Sequence, residues 1–289
     1  MNLTKKYKTI LVTGGAGFIG SNLCEELIKD KDLKVFSLDN YSTGKIENHI
    51  EGVEYIIGHT KDILEIIKEK IDLVFHLGEY SRVAKSFEEP EKVFEYNILG
   101  TQKVLEFCQK NNAKLIYAGS TTKFCDDGTG KNQSPYAWSK YINTEYVKRY
   151  SEWYNLNYAI AYFSNVYGDR AIETGEYSTI IAKYIYNYKN SFPIEVNNPG
   201  TQIRNFTDVK DTIKGLILVG NSGRGDDYII ASNKSYTILD IAKMFTDKYV
   251  IKSEVRGDRK NPSFDTIKMK TEFSFSCDSQ LEKYIQSHK

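Results

Sequence analysis

Hydrophobic and polar positions along the first half of the chain alternate between two periods. Short runs rich in Val, Ile and Leu at Thr9–Thr13, Lys34–Asp39, 53–58, 73–77, 114–119 and Tyr158–Phe163 predict strands. Near-continuous apolar runs of that length suit a sheet buried on both faces. Residues 21–31, 62–70, 91–111 and 136–154 carry helical spacing between them. Strand-then-helix repetition predicts an α/β fold, a Rossmann-type doubly wound parallel sheet.

The rhythm weakens after about Tyr167. Residues 168–175 read as a loop, 176–189 as a helix, and 192–209 as an irregular stretch around the turn Asn197-Asn198-Pro199-Gly200. Helices are expected at 211–220 and 237–249, with a short strand at 228–231 between them. The chain therefore divides into a first domain, 1–167, and a smaller lobe, 168–289, that closes over the carboxyl edge of the sheet. The lobe is expected to bind mainly substrate, with some of its chain returning to the first domain.

Composition changes this picture little. At 289 residues, Lys and Arg number 39 against 38 for Asp and Glu, which gives no basis for a nucleic-acid or membrane surface. The four cysteines, Cys24, Cys108, Cys125 and Cys277, lack any CxxC spacing and are expected as free thiols. Lys5, Lys6 and Lys8 precede an apolar run, but it breaks at once into Gly14-Gly15-Ala16-Gly17, so a cytoplasmic protein is expected rather than a secreted one. His49, His59, His76 and His288 have no i,i+4 spacing, and no metal is expected; His76 reads as a packed strand residue.

The first chemical signal is Thr13-Gly14-Gly15-Ala16-Gly17-Phe18-Ile19-Gly20, between the first strand and the first helix. Glycines here allow a tight turn, close approach of backbone to a pyrophosphate, and helix–strand contact that aims the helix N-terminus at the phosphates. Asp39 ends the next strand. A carboxylate there accepts the ribose hydroxyls and repels a 2′-phosphate, which predicts NAD rather than NADP.

The second signal lies downstream. Ser120 closes the fifth strand region, and Tyr136-Ala137-Trp138-Ser139-Lys140 opens the following helix. Tyr136 and Lys140, four apart, share a helical face. A free phenol has a pKa of about 10, so a neighbouring ammonium and the positive nicotinamide ring are needed to favour phenolate. Tyr136 would then take the proton of a sugar hydroxyl as hydride leaves for NAD, with Ser120 holding the same oxygen.

In order along nearly the whole chain, TGGAGFIGSNL, LDNYSTG, HLGE, Asn97 of YNILGT, AGST, SPYAWSK, SNVYG and GTQIRNFTDV resemble the extended short-chain dehydrogenase/reductases, the nucleotide-sugar epimerase and dehydratase family. The resemblance implies cofactor contacts from Gly14, Gly17, Phe18, Ile19, Gly20, Asp39, Asn40, Ser42, Thr43, Gly44, Asp62, Ile63, Leu77, Gly78, Glu79 and Asn97, as well as Tyr136 and Lys140. It implies substrate contacts from Thr121, Asn165 and Arg204, joined by Arg259 or Arg256 on the diphosphate. It also implies a homodimer formed by residues 91–111 and 136–154 of each chain, and the apolar excess at Val93, Phe94, Ile98, Leu99, Val104, Leu105 and Phe107 fits this.

Departures from the family narrow the chemistry. Members that dehydrate the sugar at C4 and C6 carry Asp-Glu after the strand-ending hydroxyl residue, a pair that expels water from the 5,6 position, where this chain has Thr121 and Thr122. A hydroxyl does not replace a carboxylate in proton transfer near neutral pH, so a 4,6-dehydratase is not expected. What the resemblance then implies is oxidation at C4 of a nucleoside-diphosphate hexose or heptose, as a 4-dehydrogenase or, alternatively, within a 4-epimerase. HLGEYSRV and AGSTTKF resemble a group tied to surface-polysaccharide sugars, including GDP-heptose 4-oxidation. A non-catalytic NAD-binding sensor is a third reading. Arg82 reads either as a solvated residue or as a charge for an anionic sugar, second substrate or phosphate.

Overall fold

The computed structural model describes residues 3–258, 261 and 264–289. Seven parallel strands form the central sheet: β1 (Thr9–Thr13), β2 (Lys34–Asp39), β3 (Glu54–Ile57), β4 (Leu73–His76), β5 (Lys114–Ser120), β6 (Tyr158–Phe163) and the strand Gly225–Ile230. Their spatial order runs from β3 through β2, β1, β4, β5 and β6 to Gly225–Ile230. The order reverses between β1 and β4, and that switch point opens a crevice at the strands' carboxyl ends.

Alternation along the strands explains the two covered faces. In β1, Leu11 joins the core on one side while Ile10 and Val12 join the core on the other, all fully buried. Phe107, Val147 and Tyr150 cover the first face from the helices before and after β5. Leu23 and Leu27 of helix Phe18–Leu27 cover the second with Val209, Ile213, Leu216 and Val219 of helix Val209–Ser222. Burying a side chain such as Phe75 in this way contributes roughly 2–3 kcal/mol.

The expected helix 91–111 begins at Pro90 and runs to Asn111, with a π-helical stretch over Phe94–Leu99. Hydrophobic spacing does not distinguish that local widening from α-helix. Helix Pro135–Tyr154 starts where Ser134 accepts the Ala137 N–H at 3.0 Å and Pro135 takes the first position. It stops at Asn155, whose φ of 55° is left-handed.

Beyond residue 167 the chain is more ordered than its pattern predicts. The stretch expected to be irregular, 192–209, holds strands Ile194–Asn197, Ile203–Asn205 and Thr207–Asp208. Their partners are Tyr249–Lys252, Ser235–Thr237 and Val166–Tyr167. Pairs only two to four residues long leave too little alternation to read. These strands and helices Ile180–Lys189, Ile238–Phe245 and Leu281–His288 enclose a separate core around Tyr184, Val196, Phe206 and Ile241. The expected strand at 228–231 lies at 225–230, where it extends the main sheet beside β6. All four cysteines are free, and no helix among the described residues is long and apolar enough to cross a membrane.

Candidate active site

The switch point opens into a cavity of about 640 Å3 that reaches from the glycine loop to the small lobe. Gly14 has a φ of 75°, and a Cβ there would lie 2.9 Å from the Gly78 Cα. A Cβ on Gly20 would lie 2.1 Å from the Gly14 carbonyl oxygen, so helix Phe18–Leu27 can approach the loop only with glycine there. No side chain caps that helix at Gly17, which leaves its first-turn N–H groups for a ligand. Asp39, 6% exposed, accepts N–H groups from Ala16 (2.9 Å) and Tyr41 (2.8 Å). Burial raises the pKa of its carboxyl, and those two hydrogen bonds oppose the rise. A backbone cradle beside a carboxylate fits a dinucleotide with an unphosphorylated ribose.

Across the cavity, the Tyr136 hydroxyl donates to Ser120 Oγ at 3.3 Å. Ser120 Oγ also accepts from Thr122 Oγ1 at 2.9 Å, so its own proton is free for a third oxygen. Lys140, one turn beyond Tyr136, places Nζ 4.5 Å from the centre of the Tyr117 ring and donates to the Ala118 carbonyl and to Glu79. The Glu79 and Lys140 side chains are 4% and 6% exposed.

Glu79 is held from three further directions. Its Oε1 accepts from Thr101 (3.0 Å), Tyr117 (3.1 Å) and Asn143 (3.0 Å). The Thr101 proton is thereby used, so His76 Nε2–H donates to Thr101 (3.1 Å) and His76 Nδ1 accepts from Thr13 (2.8 Å). Burial lowers the pKa of the His76 ring to about 4, so the ring is neutral at physiological pH. The packed strand histidine expected from sequence is thus one link in a polar chain from the glycine loop to Lys140. Thr101 and Asn143 were not singled out by sequence reasoning. Asn143 carries a readable signal, lying three residues beyond Lys140 and seven beyond Tyr136 on one helical face.

Gly14, Gly17, Phe18, Ile19, Gly20, Asp39, Asn40, Ser42, Thr43, Leu77, Gly78, Glu79, Ser120, Thr121, Tyr136, Lys140, Asn165 and Arg204 all line the cavity. Gly44, Asp62, Ile63 and Asn97 are not on its wall. Ile63 packs in the core, and a Cβ on Gly44 would press within 2.9 Å of the Asp39 carboxylate. Asn97 is fully buried, accepts from the Tyr80 N–H (2.7 Å) and donates to Ser139 (2.8 Å). The structure thus spends the Asn97 side chain on shaping the segment after β4.

On the small-lobe side, Arg204 donates to the Ile203 carbonyl (2.7 Å) and pairs with Asp258, which sequence reasoning did not single out. Asn165, at a φ of 40°, donates to Ser164 Oγ and the Asn205 carbonyl, both at 3.0 Å. Arg256 is exposed, with Cζ 4.2 Å from the centre of the Phe87 ring. Arg259 lies outside the described residues. Arg82 is on the cavity wall rather than solvated.

A family model described as "NAD dependent epimerase/dehydratase family" matches residues 10–231. A Methanocaldococcus jannaschii protein described as "Putative UDP-glucose 4-epimerase" is 36% identical over 225 residues, covering 73% of each chain. A dTDP-D-glucose 4,6-dehydratase of Dictyostelium discoideum is 31% identical, covering 81% of this chain and 60% of that one. Among solved structures, the UDP-N-acetylglucosamine 4-epimerase of Methanobrevibacter ruminantium M1 superposes with a TM-score of 0.86 at 30% identity, covering 98% of this chain and 97% of that one.

Proposed function

The chain belongs to the NAD dependent epimerase/dehydratase family and its cofactor is NAD, and from that premise we propose that it oxidises C4 of a nucleoside-diphosphate sugar. The observation that carries this reading is the Tyr136–Ser120 hydrogen bond, set above Lys140 in the cavity that also holds the glycine cradle and Asp39.

Asp39 would hold the adenosine ribose, and the N-terminus of helix Phe18–Leu27 the pyrophosphate. When bound, NAD supplies the hydride acceptor. Tyr136 takes the proton of the sugar O4 hydroxyl, with Lys140 one helical turn away on the same face. Ser120, already accepting from Thr122, turns its own proton toward O4 and fixes that oxygen against the base. Asn165 and Arg204 receive the diphosphate side, where a guanidinium offers paired charge-assisted hydrogen bonds.

Thr121 and Thr122 argue against water elimination, since neither transfers a proton as a carboxylate does. Thr122 is instead engaged with Ser120. The first reading is a sugar-nucleotide 4-dehydrogenase acting in surface-polysaccharide biosynthesis, as the resemblance of HLGEYSRV and AGSTTKF implies. A second reading, a 4-epimerase that reduces the ketone from its other face, is favoured by the relatives described as 4-epimerases. Both share the step at Tyr136. Tyr136→Phe is expected to lower turnover of the accepted nucleotide-sugar roughly 100- to 10,000-fold while NAD still binds. Unchanged turnover would remove the assignment.

The reading includes a homodimer. Phe94 and Trp138, 59% and 48% exposed, lie on the two helices expected to pair, whereas Val93, Val104, Leu105 and Phe107 serve the chain's own core. A monomer in sedimentation at micromolar concentration would contradict it.

A further inference from the structure

Among the described residues, four cationic side chains line the cavity, and three of them already face a carboxylate. Lys140 has Glu79, Lys183 has Glu195 at 3.0 Å, and Arg204 has Asp258. Arg82 has no carboxylate partner among the described residues. Its outer nitrogens donate only to the carbonyls of Ser81 (3.2 Å) and Tyr177, and its Nε is buried without a partner.

The titratable groups that act on Arg82 are phenols, those of Tyr136, Tyr177 and Tyr80. The carboxylate of Glu89 is engaged elsewhere, accepting from Tyr80 and Tyr177, each at 2.9 Å. Burial lowers the pKa of the Arg82 guanidinium below its ordinary value, as expected of a cation whose solvation is only partly replaced. An incoming anion recovers that lost solvation, and the orphaned Nε gives it a donor.

We infer that Arg82 receives a carboxylate beside Tyr136. This inference deepens the nucleotide-sugar reading and rests on it. The charge balance selects the class. One cation without a counter-charge suits a monoanion, whereas a phosphate dianion needs a second, and the other three cations are already paired. A planar carboxylate also matches the fork of a guanidinium. The group is either a carboxylate on the sugar or a free carboxylate bound beside a neutral sugar. Arg82 thereby acts as a specificity-determining residue, separate from the diphosphate contacts assigned to Arg204 and Asn165.

The test is calorimetry on the NAD-loaded full chain, comparing wild type with Arg82→Gln and Arg82→Lys. Probes are matched nucleotide-sugars bearing a carboxylate or a hydroxymethyl group, on uridine, guanosine and thymidine diphosphates. The nucleoside diphosphates alone, acetate and malonate complete the set. A sugar carboxylate predicts that wild type prefers the acidic sugar roughly 10- to 100-fold, that Arg82→Gln abolishes the preference, and that Arg82→Lys restores part of it. A free carboxylate predicts instead that acetate or malonate binds wild type, with or without neutral sugar, and not Arg82→Gln.

Equal loss of affinity for every ligand, the bare nucleoside diphosphates included, would make Arg82 a diphosphate contact and overturn the inference. So would identical binding by wild type and Arg82→Gln, which would leave Arg82 as a tether for the Tyr177 carbonyl. If no nucleotide-sugar binds either protein, the nucleotide-sugar reading fails on its own, and the acetate and malonate arm still decides the role of Arg82.

Discussion

Glu79 and Lys140, 61 residues apart in sequence, meet as a largely buried ion pair in the wall of the cavity. Removing one partner of such a pair leaves the other charge uncompensated. Here the consequence reaches the chemistry, because Lys140 is the cation that stands one helical turn from Tyr136. Glu79 places a negative charge in the same enclosure and opposes loss of a proton from neighbouring phenols, as it does for Tyr117, whose pKa lies well above its ordinary value mainly through burial and then through Glu79.

Glu79→Gln is therefore expected to move the acid limb of the rate profile to lower pH. The kcat–pH profile of the variant against wild type checks this. A merely structural role would lower stability and leave the limb where it was.

Asp39 predicts cofactor choice. Its carboxylate is fixed by the Ala16 and Tyr41 N–H groups, so it cannot swing away from an added phosphate without losing both bonds. Wild type should bind NAD in preference to NADP by roughly 100-fold or more, and Asp39→Asn should narrow that ratio by about tenfold. Dissociation constants for both cofactors measure it, and a wild type indifferent to the 2′-phosphate would remove the role assigned to Asp39.

His76 predicts a pH dependence of stability. In the folded chain it titrates at about 4, whereas the unfolded chain binds that proton below about 6.5. Between those values the unfolded state holds more protons, so stability is complete above the upper value and falls as pH decreases toward the lower one. The loss from this group between pH 7 and pH 5 is about 2 kcal/mol. Denaturant unfolding of wild type and His76→Gln at both pH values should show a smaller loss in the variant; equal losses would show that burial does not hold the ring neutral.

The first half of the fold was legible because its strands are buried on both faces and separated by long amphipathic helices. The limits of β1, β2 and β6 coincide with their apolar runs. The second half was less so for a physical reason. Ile203–Asn205 and Ser235–Thr237 derive their order from each other, and the strand Gly225–Ile230 begins with Gly225-Asp226-Asp227, which carries no apolar pattern. The site divides similarly. Glycines, Asp39, Tyr136 and Lys140 act at fixed local spacings, and all line one cavity. The pairings Glu79–Lys140 and Arg204–Asp258 cross long stretches of chain, and no spacing rule announces them. Whether Arg82 faced solvent or the cavity likewise depended on where the loop carrying Tyr177 lay.

The most direct test of the central claim follows the hydrogen on C4. NAD-loaded protein is incubated with nucleotide-sugars deuterated at that carbon, and sugar and cofactor are analysed by mass and by NMR. C4 oxidation predicts that the deuterium is found on the dihydronicotinamide of the cofactor with a 4-keto sugar as product, or back on C4 of a sugar inverted there. Deuterium that stays on an unaltered C4 while the sugar changes elsewhere, or that is lost to solvent, would contradict the account.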